Sequence, residues 1–140
     1  SIVIDGLQTS LWGRPIFEEM RAGGLTAVNV SSVLWENFRE GIGYVSMWKR
    51  YLRENADIIR PVRSVADIHA AKAENRTGII IGWQNTSPIE DKLDYIEIFK
   101  DLGVGIMQVT YNTQNYSSTR WAASACCAIS AMSATRPART

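Results

Sequence analysis

The chain has 140 residues, about one domain's worth, and at 46% hydrophobic and 21% charged residues it has the apolar content for a packed core, which excludes a largely disordered protein. With 15 basic and 14 acidic residues the net charge is +1, which leaves no electrostatic footprint for nucleic acid or an anionic membrane. No apolar run approaches the roughly 18 residues of a membrane helix, and no basic segment precedes an apolar one at the N-terminus, so a cytoplasmic location is the expectation.

Ile2-Val3-Ile4 reads as a short buried strand ending in Asp5-Gly6. Pro15 opens a helical stretch through Arg21, with Glu18 and Glu19 in its first half, and Gly23-Gly24 stops it. Residues 25–30 form a second strand-like run. Phe38, Ile42, Val45, Trp48 and Leu52 then recur at helical spacing and mark one face of a long helix. Ser64 and Asp67 have capping-box spacing before a modest helix that reaches Glu74. Residues 78–83, Gly-Ile-Ile-Ile-Gly-Trp, read as a buried strand. Ser87-Pro88-Ile89-Glu90 predicts a helix start, with Ile89, Leu93, Ile96 and Phe99 as its apolar stripe and Gly103 as its stop. A strand over residues 104–110 closes the series. Alternating strands and helices predict an α/β protein with a mainly parallel sheet.

Polar residues gather where these strands end: Leu7-Gln8-Thr9, Gln84-Asn85-Thr86 and Tyr111-Asn112. Ligand sites in parallel α/β sheets lie at that edge. Turn formation is the other use of such residues. Gln84, Asn85, Tyr111 and Asn112 are therefore the substrate-pocket candidates, and they name no reaction by themselves.

Most chemistry motifs are missing. Neither a Gly-rich phosphate loop nor a Gly-x-Ser-x-Gly elbow occurs, and Gly41-Ile42-Gly43 lies inside a helical pattern. His69 is the single histidine, which excludes a two-histidine zinc site within this chain, and it reads as a surface or boundary residue. Cys126 and Cys127 are adjacent, without C-x-x-C spacing. Trp12, Trp35, Trp48 and Trp83 read as core or pocket wall, since no basic groove accompanies them.

Two compositions are joined in the chain. All 14 acidic residues precede residue 117, whereas residues 117–140 are rich in Ala, Ser, Thr and Arg and contain no acid, lysine or glycine. The expected organisation is a body over 1–116 and an aberrant tail over 117–140. GC-rich coding sequence read out of frame accounts for such a tail; an Ala-rich amphipathic helix over 122–134 is the alternative.

Several stretches of the body together resemble the membrane (renal) dipeptidase family of zinc peptidases. They are Ile4-Asp5-Gly6, residues 17–24 (Phe-Glu-Glu-Met-Arg-Ala-Gly-Gly), residues 63–68 (Arg-Ser-Val-Ala-Asp-Ile), residues 78–85 and, most specifically, residues 98–112. The resemblance implies the first half of a TIM-like (β/α)8 barrel, truncated after about four strands, since a full barrel needs about 200 residues or more and typically has about 250. It also implies a binuclear zinc centre and hydrolysis of dipeptides or related amides. On the family pattern, however, Leu7 stands at a zinc-binding His, Thr9 at a zinc-binding Asp, Gln84 at the bridging Glu and Tyr111 at a substrate-side His. Leu7 cannot ligate and a neutral Gln is a poor bridge. Zinc belongs to the family, and none is expected for this chain.

The first reading is thus an inactive fragment of a dipeptidase-like metallohydrolase. The second is a non-catalytic or differently catalytic relative that binds a small polar, dipeptide-like molecule without zinc, and the third a self-contained small α/β binding module unrelated to peptidases. No nucleic-acid or membrane partner is expected. An open half-barrel predicts self-association through two unpaired sheet edges and through barrel-facing apolar residues among Ile79-Ile80-Ile81 and residues 104–109.

Overall fold

A computed structural model describes residues 1–112 and 115, and over them strands and helices alternate as the sequence predicts. The order is β1 (Ile4–Gln8), α1 (Arg14–Ala22), β2 (Ala27–Ser31), α2 (Phe38–Glu54), β3 (Ile59–Pro61), α3 (Val65–Ala73), β4 (Thr77–Trp83), α4 (Tyr95–Leu102) and β5 (Val104–Met107). Every strand pairing is parallel, and β1, β2 and β4 lie side by side in that order. Parallel neighbours require a crossover, and each crossover here carries a helix.

The short β3 is an addition to the four strands expected from the sequence, which left residues 59–61 unassigned. It pairs with Thr77–Ile79, while β5 pairs with residues 81–83, so both share the edge of β4 that β2 does not use. Four positions around a barrel are therefore filled, by β1, β2, β4 and β5, with β3 tucked below β5. The fold is α/β, a partial TIM-like barrel.

The core lies between the sheet and its helices. Phe17 of α1, Trp48 and Val45 of α2 and Phe99 of α4 are buried against Val28, Val30, Ile79, Ile81, Trp83 and Val104. Phe17 and Trp48 sit 6.2 Å apart, and Trp83 meets Phe99 edge-to-face at 4.4 Å. α3 buries only Ala71, as its Ala-rich sequence dictates, and His69 is exposed as expected. Capping boxes start two helices, Asn37 with Glu40 for α2 and Ser64 with Asp67 for α3. Among the described residues no helix is long and apolar enough to cross a membrane.

Three sequence expectations need correction. First, the leading strand is shifted: residues 2–4 are exposed, and β1 extends through Asp5, Gly6 and Leu7 to Gln8. Pairing with β2 starts only at Ile4↔Ala27, and the ladder, not the apolar run, defines the strand. Second, Ser87 does not cap a long helix. Ser87–Ile89 is a single 3-10 turn, Glu90 takes a left-handed φ of 54°, and α4 begins only at Tyr95. Pro88 and Ile89 are buried, and Pro88 packs so closely on Gly41 of α2 that a Cβ there would stand 3.0 Å from it. That tertiary contact overrides the local helix signal and leaves Leu93 61% exposed. Third, the isoleucines of β4 divide: Ile79 and Ile81 are covered by helices, and only Ile80 is turned to the other face. The tail over 117–140, with Cys126 and Cys127, lies outside the described residues.

Candidate functional site

In β2 the side chains alternate. Val28 and Val30 enter the helix-side core, so Asn29 and Ser31 project from the opposite face, the one that lines the inside of a barrel. In β4 the same alternation puts Ile80 and Gly82 on that face, and Gln84, the residue after the strand, joins them through Ser31. Asn29 and Gly82 interlock: a Cβ built on Gly82 would stand 1.9 Å from the Asn29 Oδ1, so only glycine admits the carboxamide. The Asn29 Nδ2 donates to the Gly6 carbonyl at 2.9 Å, linking β2 to β1. One step further along, the Gln84 Nε2 donates to the Ser31 Oγ at 2.6 Å.

The loops that follow the strands are stitched together around this polar floor. The Gln84 amide donates to the Val33 carbonyl at 2.9 Å, and Ser32 is held to the Gly82 carbonyl through both its amide and its hydroxyl. The Thr86 Oγ1 donates to the Val109 carbonyl at 2.8 Å. Asn115 donates through its Nδ2 to the Val109 carbonyl and to the Asn85 Oδ1. The Trp35 Nε1 donates to the Asn112 Oδ1 at 3.1 Å, and the Trp35 and Tyr111 rings meet edge-to-face at 5.9 Å. Glu36 accepts from the amides of Leu34 and Trp35 and so sets the Trp35 loop. The charge on Glu36 is also the main cause that pushes the Tyr44 phenol above its ordinary range.

Gln84, Asn85, Tyr111 and Asn112, the four pocket candidates, therefore come together at one edge. Gln84 and Asn85 are buried, whereas Tyr111 and Asn112 are exposed at the rim. Leu7 lies within β1, 48% exposed, and Thr9 follows the strand's end. Asn29 and Ser31 escape the reading of strand ends, yet the period-two pattern Val-Asn-Val-Ser of residues 28–31 carries the signal for them. Two buried atoms of the site lack a hydrogen-bond partner, the Asn29 Oδ1 and the Asn85 Nδ2.

The family model of membrane dipeptidase, peptidase family M19, matches residues 16–135. The chain belongs to that family, which is a family of metallopeptidases. The matched span runs past residue 116, into the stretch whose composition changes. Among solved structures, an amidohydrolase from Pseudomonas aeruginosa is 50% identical with a TM-score of 0.81, over 82% of this chain and 35% of that one. A dipeptidase AC described as a metallopeptidase of family M19 has a TM-score of 0.66 at 13% identity, over 77% of this chain and 42% of its own. The latter likeness concerns the fold alone. The chain thus spans less than half the length of either structure. Comparison with curated proteins gave no match.

A family metal must be tested against the donors present. Among the described residues no three of His, Cys, Asp and Glu gather where an ion could sit. Leu7 has no lone pair to offer, and Gln84 is an uncharged amide whose nitrogen is engaged by Ser31. Two cations held close together need anionic oxygens or imidazoles. The residues of this edge do not fit zinc.

Proposed function

We propose that this chain is the opening part of a dipeptidase-like metallohydrolase barrel, that it neither holds zinc nor hydrolyses dipeptides as it stands, and that its strand-end edge binds ligand without charge. The observation that carries this reading is the occupancy of the edge: Leu7, Thr9 and Gln84 stand where the family resemblance sets metal ligands, and Gln84 donates to Ser31. The membership in a metallopeptidase family and the amidohydrolase at 50% identity support an amide as the kind of bond handled by the barrel of which these residues form a part. Hydrolysis by an activated water would require a Lewis acid or a general base beside the scissile carbonyl. The carboxylates nearest the edge, Asp5 and Glu36, are taken up by the amides of Leu7 and of Leu34 and Trp35, and the other polar side chains there are amides, hydroxyls and aromatic rings.

Metal analysis of the purified 140-residue chain after dialysis, beside a dipeptide hydrolysis assay with and without chelator, tests the proposal. The expected result is less than one zinc per chain and no chelator-sensitive turnover. One or two tightly held zinc ions per chain, or turnover abolished by chelator, would overturn it.

A further inference from the structure

The four segments that meet at the strand-end edge share a property that neither the fold nor the family requires. Residues 7–13, 31–35, 84–89 and 108–112 contain no Asp, Glu, Lys, Arg or His. The charges that flank them are mostly engaged already: Asp5 accepts from the Leu7 amide, Arg14 pairs with Glu18 and Asp57, and the Glu36 carboxylate is occupied by the Leu34 and Trp35 amides at 2.6 and 2.9 Å, while Glu90 follows the 3-10 turn. A zwitterion or a free carboxylate brought to this edge would shed water without meeting a counter-charge, which is costly.

The edge instead carries unused hydrogen-bonding capacity of both kinds, donor and acceptor. Asn29 must direct its nitrogen to the Gly6 carbonyl, since an oxygen there would face an oxygen, so its Oδ1 is the atom left over. Asn85 must direct its oxygen to the Thr86 amide, 2.9 Å away, so its Nδ2 is the atom left over. The same complementarity recurs between strands. The Ser31 Oγ accepts from the Gln84 Nε2 and keeps its own proton to donate, while the Gln84 carbonyl oxygen can accept. Beside this floor stand Trp35, 56% exposed, and Tyr111, 43% exposed, locked against each other and tied through Asn112. Large exposed rings held in one orientation form a ready contact for an apolar group at low entropic cost.

We infer that this edge recognises an uncharged carboxamide, its N–H and C=O received by the Ser31–Gln84 pair, with an aromatic or apolar substituent laid against Trp35 and Tyr111. The inference rests on the metal-free reading proposed above and adds the ligand class. A neutral amide offers one acceptor and one donor, which the edge can satisfy together, whereas a carboxylate offers acceptors only.

Phenylacetamide, phenylacetate and acetamide are the probes, titrated into the 140-residue chain by calorimetry or ligand-observed NMR, with circular dichroism to verify folding. Phenylacetamide is expected to bind at least about tenfold tighter than phenylacetate. Trp35→Ala, at an exposed position, should weaken phenylacetamide several-fold and leave acetamide unchanged. Equal or tighter binding of phenylacetate, or a folded chain that binds none of the three, overturns the ligand class. Zinc uptake with chelator-sensitive dipeptide turnover would instead overturn the metal-free reading beneath it, so the two failures are distinguishable.

Discussion

At position 82 a single methyl group has no room. The Asn29 carboxamide occupies the space that a Cβ would need, 1.9 Å from its Oδ1, and the same carboxamide bridges to the Gly6 carbonyl. Gly82→Ala must therefore push Asn29 aside, lose that bond and strain a strand in mid-sheet. The expected loss is about 3 kcal/mol of stability from overpacking together with a stranded buried amide. Gly43→Ala is the matching control, because a Cβ there meets nothing within 4 Å. In a helix interior that exchange should stabilise by up to about 1 kcal/mol. Urea unfolding of the two variants beside the parent chain checks both signs. The roles of Gly82 and Asn29 were hidden in the sequence, since a Gly in a β-run and an Asn between valines each have several ordinary uses. Only their apposition across two strands gives them a joint one.

Elements obeyed local rules where nothing distant competed with them. The Ser64–Asp67 box was legible from spacing, and the structure forms it in both directions, with Asp67 also accepting from the Arg63 amide. The Arg63 amide, then the Ser64 hydroxyl, hold the Asp67 carboxyl below its ordinary range. A carboxyl whose folded value is depressed contributes stability above its unfolded value and loses it as pH falls through the folded one. Asp67→Asn should therefore differ from the parent chain by a constant amount at neutral pH, and the difference should shrink below about pH 4. Urea midpoints measured at pH 7 and pH 3 test this. Asp57 and Glu74 are depressed by Arg14 and Arg76 respectively, so the parent chain as a whole weakens on the acid side. The stretch from Ser87 shows the opposite outcome. A Ser-Pro-x-Glu start is a sound local signal, yet burial of Pro88 and Ile89 on α2 held the chain in one 3-10 turn and delayed α4 to Tyr95.

On the scale of the molecule, the consequences come from what the sheet leaves uncovered. Among the described residues, no strand pairs with the outer edge of β1 or of β5. Ile4, Leu7, Ile106 and Val109 are each 43–51% exposed near those edges. Unpaired edges beside apolar surface favour association. The isolated 140-residue chain is expected to self-associate at micromolar concentration, and Ile106→Lys on β5 should lower its mass average. Analytical ultracentrifugation decides the matter: a monodisperse monomer for the parent chain, with strongly protected β1 and β5 amides in hydrogen exchange, would contradict the expectation.

What the sequence determined by itself was the order of α and β elements, most of the helix ends, the edge at which polar residues collect and the resemblance to the dipeptidase family. These follow from spacing, from Pro, Gly and capping residues, and from motifs within a few positions of one another. The tertiary structure alone decided three other things: that β3 and β5 share one side of β4, that Ile80 parts company with Ile79 and Ile81, and that Asn29 and Ser31 join Gln84 in one polar floor. Each depends on residues dozens of positions apart meeting across hydrogen-bonded strands. Register places them there, and register is settled by the burial of one whole face of the sheet against its helices, not by any local run of residues.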